Sequence, residues 1–214
     1  MIKIKKILYV GNLNSINLEI ISKSLNTLSK KRIKFILVGN YSKILKELSK
    51  DKNIKKIKSN KFDKSYYDNS LNIFDSKNYL RKYKNNTLNE IYCAYELAKK
   101  YNIDLVTMPI DKYLIKKKNK FNGVTEFLGK IDNNKTFMLM RGDNFSIIPL
   151  TTHIALKNVQ KEFLNNFLEI DKIFEHLEIR KIILKNIIFL GVNPHAGEGN
   201  TIGNEDKLIS QKIK

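Results

Sequence analysis

Cysteine, proline, histidine and long apolar runs are all scarce in this 214-residue chain, and each scarcity excludes something. A single cysteine, Cys93, rules out an internal disulfide and fits a reducing compartment. No run of about 18 apolar residues occurs, so no membrane span is expected. The opening MIKIKKILYVGN lacks a long apolar core and a small-residue cleavage site, and reads as a first strand, not a signal peptide. A cytoplasmic location follows as the expectation. Acidic residues are also few, 21 against 40 Lys and Arg, which leaves a net charge of +19. Yet 36 of those 40 cations are lysine, scattered over the whole length. A nucleic-acid surface would more often cluster arginine among aromatics. The densest basic run, Lys116-Lys117-Lys118-Asn119-Lys120, reads as a solvated loop. Neither a nucleic-acid nor a membrane partner is expected.

What is present is enough to fold. Apolar residues make up 42% of the chain, ordinary for a globular protein and too many for a disordered one. Short β-rich apolar runs alternate with amphipathic stretches, the pattern of an α/β fold with a mostly parallel sheet. Strands are expected at Ile7–Val10, Phe35–Val38, Leu105–Met108 (short and buried) and Asn186–Leu190. Two more, Thr136–Met140 and Phe145–Leu150, flank Arg141-Gly142-Asp143-Asn144, which reads as a hairpin turn. Helical periodicity runs through Leu18–Leu28, Leu45 with Leu48, Thr125–Leu128, Val159–Phe167, Ile170–Leu184 and Glu205–Ile213. The best-written helix has capping-box spacing at Thr87 and Glu90, and shares Leu88, Ile91, Tyr92, Tyr95 and Ala98 on one face. It is expected to stop near Asn102, and Cys93 to lie on a buried helix face. Residues 58–84, polar and without a clear period, are expected to be a loop or insertion.

The few glycines and prolines are informative by position. Four of nine glycines fall between 191 and 203, and Pro109, Pro149 and Pro194 sit at or just past expected strand ends. In open α/β sheets that edge is where ligands bind. Two of three histidines fall there too: His153 in LTTH and His195 in GVNPHAGEGN. Imidazoles from separate strand ends suit a divalent metal or a proton-transfer pair; equally, each could cap its own loop. His176, on a helix between Glu175 and Glu178, reads as solvent-facing. Gly197, Gly199 and Gly203 give GxGxxxG, out of step with the dinucleotide fingerprint, after a turn too long for it. A standard Rossmann phosphate loop is therefore rejected.

The loop NPHAGEG resembles the signature loop of the 4-hydroxythreonine-4-phosphate dehydrogenases, and TTH-x-x-L their other histidine segment. VTMPIDK (Val106–Lys112), GVTEFL (Gly123–Leu128) and TFMLM follow in the same order as in that family. At the N-terminus GNLNSINLEI keeps Gly11, Ile16, Glu19 and Ile20 of a family Gly-rich segment. The resemblance is strong from about 104 to 206 and weaker before.

This resemblance implies a three-layer α/β/α fold like that of the isocitrate and isopropylmalate dehydrogenases, incomplete at the C-terminus. It implies an N-terminal α/β subdomain over 1–130 and a partial second one over 131–214 that carries the metal-binding histidines. The implied activity is NAD- or NADP-dependent oxidation of 4-phosphooxy-L-threonine, followed by decarboxylation to 3-amino-2-oxopropyl phosphate in pyridoxal phosphate synthesis. His153 and His195 are implied ligands of a divalent metal (Zn, Mg or Co), which would lower the pKa of the substrate alcohol and stabilise the enolate left by decarboxylation. Thr125 is implied to contact substrate, with Val124 standing where the family carries a histidine. A homodimer with its active site at the subunit interface is implied as well. The family's third metal histidine falls beyond Lys214, so the chain alone is expected to be inactive. Other readings are an inactive remnant, or a relative acting on another phosphorylated hydroxy acid such as 4-phospho-threonate.

Overall fold

Four buried residues in a row, Phe35 to Val38, followed by buried Gly39, mark the centre of the first unit, because a parallel strand covered on both faces is apolar throughout. The computed structural model describes residues 4, 6–48, 55–59, 62, 70–79, 81–115, 121–183, 185–192, 195, 198 and 201–213. They divide into two compact units, Met1–Asn134 and Lys135–Lys214.

In the first unit five strands, β1 (Lys6–Tyr9), β2 (Phe35–Gly39), β3 (Lys55–Ser59), β4 (Ser70–Asp75) and β5 (Asp104–Thr107), form one sheet in the order β3-β4-β2-β1-β5. Every pairing is parallel. Four helices accompany it: α1 (Asn17–Lys30), α2 (Tyr41–Glu47), α3 (Asn86–Tyr101) and α4 (Val124–Asp132). The connection from β1 through α1 to β2 travels toward the β3 edge, whereas that from β4 through α3 to β5 travels the opposite way. Right-handed crossovers in opposite directions put α1 and α3 on opposite faces, which makes three layers. The core includes Ile7, Leu37, Val38, Ile44, Leu71, Ile73 and Ile91, all without exposed surface or nearly so.

The structure corrects the reading of this unit in three places. The stretch expected to be a loop, 58–84, holds the end of β3 and the whole of β4, and β4 is buried along its length. Its polar letters hide it: Asn72 donates to the Ser70 carbonyl at 3.1 Å, and Asp75 pairs with Lys58 at 3.1 Å. Helix α3 is capped by Asn85, whose side chain accepts from the Leu88 N–H at 3.1 Å, and not by Thr87. Tyr92 and Tyr95 lie at the margins of its buried face, which is instead completed by Cys93, Ala94 and Leu97. It ends as expected at Asn102, in the left-handed conformation (φ +52°) that asparagine tolerates. Third, β5 is an edge strand exposed at Asp104, Val106 and Thr107, not a buried one.

In the second unit the hairpin is real but short, β6 (Met140–Arg141) against β7 (Ser146–Ile147), closed by the Gly142 N–H donating to the Phe145 carbonyl at 3.0 Å. The rest of 136–139 and 148–150 joins no ladder among the described residues. Three helices follow: α5 (Val159–Leu168), α6 (Ile170–Ile179) and α7 (Glu205–Ile213). Phe163, Phe167, Ile170, Ile173, Leu177 and Ile209 make the core. Helix α6 stops well short of the expected 184, because Lys181 turns left-handed (φ +56°) and the Ile182 N–H closes onto the Leu177 carbonyl at 2.9 Å. The strand expected at Asn186–Leu190 is absent from the described residues, and Ile188 and Leu190 lie about 80% exposed. Among the described residues no helix is long and apolar enough to cross a membrane.

Candidate functional site

The C-terminal ends of β1 and β5 mark the point where the chain's direction across the sheet reverses, the usual ligand crevice of open α/β sheets. Here protein groups fill its floor. Gly11 turns left-handed (φ +71°), and a Cβ on it would come within 2.4 Å of the Pro109 carbonyl oxygen and 2.6 Å of Asn17 Nδ2. Asn17 is 1% exposed, and its amide donates to the carbonyls of Val10 (3.1 Å), Asn12 (3.1 Å) and Pro109 (2.8 Å). The Asn12 N–H returns a bond to Pro109 at 3.0 Å. This clasp ties the loop after β1 to the start of the Pro109–Lys112 segment. The sequence reading missed Asn17; the one available signal was a polar residue at the start of an amphipathic helix.

A second polar group lies at the ends of β2 and β4. Asp75 accepts from the Tyr41 and Lys77 N–H groups at 3.3 and 3.2 Å and pairs with Lys58. Burial alone would raise its pKa, but the Lys58 ammonium and the two N–H groups outweigh burial and hold the carboxyl below its usual range. On α3, Glu90 goes the other way. Burial pushes its carboxyl from 4.5 to about 7, with Lys43 opposing and the Asp75 charge adding to the rise. Burial also raises the Cys93 thiol and the Tyr9 hydroxyl, with Glu90 adding to both, so Cys93 is an inert core residue.

Val124 and Thr125 open α4 after Gly123, where a side chain would press within 2.5 Å of Glu126 Oε2. Val124 packs partly buried against the sheet core and so can offer a ligand only van der Waals contact. Thr125, also partly buried, carries the hydroxyl.

The two singled-out histidines belong to the second unit, and both are exposed. His153 stands in the left-handed region (φ +54°), beyond a run whose Leu150 carbonyl accepts from Asn166 Nδ2 on α5. His195 is 71% exposed, with Nδ1 3.5 Å from Glu198 Oε1. The Glu198 N–H donates to the His195 carbonyl at 3.1 Å, and Thr201 Oγ1 to the Glu198 carbonyl at 2.6 Å, so a tight local turn presents the imidazole. His176 lies exposed on α6, as expected. Among the described residues no three His, Cys, Asp or Glu side chains group so as to hold a metal ion. Catalytic metals ordinarily have three protein ligands, so the described residues alone do not fit one. After β1, Asn17 and Pro109 leave no room for a side chain at Gly11.

Fold and site together define an open-sheet α/β protein with two exposed histidines on loops of its second unit. Comparison with known proteins is more specific. Residues 18–214 match the family described as pyridoxal phosphate biosynthetic protein PdxA. The chain belongs to that family. It is 37% identical over 131 residues to a 4-hydroxythreonine-4-phosphate dehydrogenase of Hydrogenobaculum sp. (strain Y04AAS1), covering 56% of this chain and 40% of the relative. The enzyme of the same description from Sulfurihydrogenibium sp. (strain YO3AOP1) is 31% identical over 227 positions, 96% of this chain and 68% of the relative. In fold the chain is similar to the structure of a protein from Salmonella typhimurium titled a putative 4-hydroxythreonine-4-phosphate dehydrogenase. The TM-score is 0.74 at 19% identity, over 98% of this chain and 70% of that one. The chain thus spans between two-fifths and about seven-tenths of these relatives.

Proposed function

We propose that this chain provides the N-terminal and central part of a 4-hydroxythreonine-4-phosphate dehydrogenase. The reaction passes a hydride from the secondary alcohol of 4-phosphooxy-L-threonine to NAD or NADP, releasing a proton. The resulting β-keto acid loses CO2 and takes up a proton to give 3-amino-2-oxopropyl phosphate. The observation that carries this reading is the family match, which extends over 18–214 and includes both histidine segments.

His153 and His195 are this chain's contribution to a divalent-metal set that other residues complete, and the Thr125 hydroxyl is its hydrogen-bonding group toward substrate. The His195–Glu198 contact supports a ligand role in one respect: a carboxylate beside one ring nitrogen orients the ring for the other. A net charge of +19 favours encounter with a phosphorylated anion. A homodimer with a shared active site and a cytoplasmic location belong to the same reading.

The test is a chimera of residues 1–214 with the part of the Sulfurihydrogenibium relative that the match leaves uncovered, 32% of its length against the 68% matched. It is expected to form NADH or NADPH from 4-phosphooxy-L-threonine with a divalent metal, and His153→Ala and His195→Ala are each expected to lower the rate at least about 100-fold. Turnover indifferent to both substitutions would refute the assignment.

A further inference from the structure

Asn122-Gly123 is the one asparagine–glycine pair in the sequence, and it lies on the loop that leads into α4. Other asparagines of the first unit have their side chains held. Asn17 and Asn72 donate to carbonyls, Asn40 and Asn85 cap helices, and Asn89 accepts from the Lys82 and Tyr83 N–H groups at 2.9 and 3.2 Å. Asn122 is exposed, and among the described residues no hydrogen bond holds its side chain. Gly123 is the N-cap of α4, so its own N–H precedes the helical ladder, whose first bond runs from the Phe127 N–H to the Gly123 carbonyl at 3.1 Å. Gly123 has no Cβ to shield its nitrogen. An unheld carboxamide therefore adjoins an unhindered peptide nitrogen, the two groups that close a succinimide ring.

We propose that Asn122-Gly123 is a spontaneous modification site, at which the folded chain passes through a succinimide to aspartate and isoaspartate. The Gly123 nitrogen bonds to the Asn122 side-chain carbonyl carbon, and the bond from that carbon to the amide nitrogen breaks. The side-chain nitrogen leaves as ammonia, carrying the proton that Gly123 gives up. One water then opens the ring at either carbonyl. Opening at the side-chain carbonyl leaves aspartate. Opening at the main-chain carbonyl leaves isoaspartate, whose main chain runs through Cβ and Cγ and is one carbon longer. No oxidant or reductant takes part. The flanks give that extra carbon little room. Phe121 meets the Phe127 ring of α4 at 5.8 Å between centroids and Val124 packs on the sheet core, with only Asn122 and Gly123 between these anchors. Isoaspartate therefore releases the Phe121 ring or shifts the first turn of α4, and either product adds a negative charge beside that turn. The inference goes beyond the proposed reaction and does not rest on it, although Thr125 lies in the turn affected.

Peptide mapping of residues 1–214 tests it, because trypsin releases 121–130 whole, between Lys120 and Lys130. After incubation of the folded chain at mildly alkaline pH, this peptide should appear one mass unit heavier, in two forms that chromatography separates. The isoaspartate form should accept a methyl group from S-adenosylmethionine through a protein isoaspartyl methyltransferase. Conversion should run several-fold ahead of that at Asn14-Ser15, another exposed asparagine followed by a small side chain. Asn122→Gln, which would have to close a larger ring, and Gly123→Ala, which shields the nitrogen, should each slow it at least tenfold. In the converted chain the amides of 124–127 should exchange faster than before. An unchanged 121–130 peptide from the folded chain would overturn the proposal; if chain unfolded in urea converts, the fold itself protects the pair. Conversion that Asn14 matches, or a product that accepts no methyl group, would overturn it as well.

Discussion

The first unit closes its core and the second does not, although the motifs that resemble a known family are densest in the second half of the chain. In the first, residues such as Ile7, Leu37, Ile44 and Ile73 have no exposed surface, and the described core draws on three of the strands and three of the helices. In the second, the six core residues each keep 3–7% exposure, and they come from three helices alone. Strand-like residues on either side of those helices, among them Phe145, Ile147, Ile188 and Leu190, face outward. Motif strength and structural completeness are therefore separate properties. A loop such as that of His195 can be written clearly in the sequence while its imidazole stands 71% exposed in the structure.

The largest effect that tests this contrast is a core deletion. Leu37→Ala is expected to cost about 3 kcal/mol in the first unit, where close packing cannot collapse onto the cavity. Leu177→Ala in the second should cost less, about 2 kcal/mol, because its looser neighbours can relax. Urea titrations of both variants, read by probes in each unit, check this; equal losses would erase the distinction.

Next comes pH. Glu90 has a folded pKa of about 7 against an ordinary 4.5, so between these values the folded state holds the proton more tightly than the unfolded one. Stability of the first unit therefore falls as pH rises from about 4.5 to 7, by at most about 3 kcal/mol. Glu90→Gln should flatten that slope and stabilise the unit at pH 8. Asp75 acts in the opposite sense: its lowered pKa gives stability above the usual carboxylate range that is lost as pH falls through it. If unfolding midpoints of Glu90→Gln keep the wild-type slope, the buried-acid account of α3 fails.

Asn17→Ala should follow, at about 2 kcal/mol, since three strand-end carbonyls lose their shared donor. Amide exchange at Asn12 and Met108, whose own bonds go to Pro109 and Tyr9, should quicken in that variant. Unchanged exchange would mean the clasp is incidental. The smallest effect is at the surface. Lys23→Ala removes the exposed Glu19–Lys23 pair, and no shift in Tm should be resolved.

Much of the first unit was legible because its strands are apolar and its helices periodic. Lys6–Tyr9, Phe35–Gly39 and α1 fall within two residues of their expected bounds. Strand β4 was not, because Ser70, Asn72 and Asp75 satisfy themselves by local bonds and an ion pair that a hydropathy pattern cannot show. The cap of α3 was misplaced for a related reason: Thr87 and Asn85 are both competent caps, and only the backbone entering the helix selects between them. In the second unit the failure is of another kind. Asn186–Leu190 has strand composition, but a strand needs a partner, and none of the described residues supplies one. His153 and His195 were legible as candidates by position, whereas their exposed settings depend on packing that single residues do not encode.

The central claim, that the first unit is closed and the second open, is tested most directly by hydrogen exchange with mass spectrometry on residues 1–214. The account predicts that amides of β1, β2, β4 and α3 stay protected longest, that α5 and α6 exchange orders of magnitude sooner, and that 185–192 exchange at the rate of unstructured peptide. Protection of 185–192 comparable to that of β2, in a monomer without added polypeptide, would contradict it.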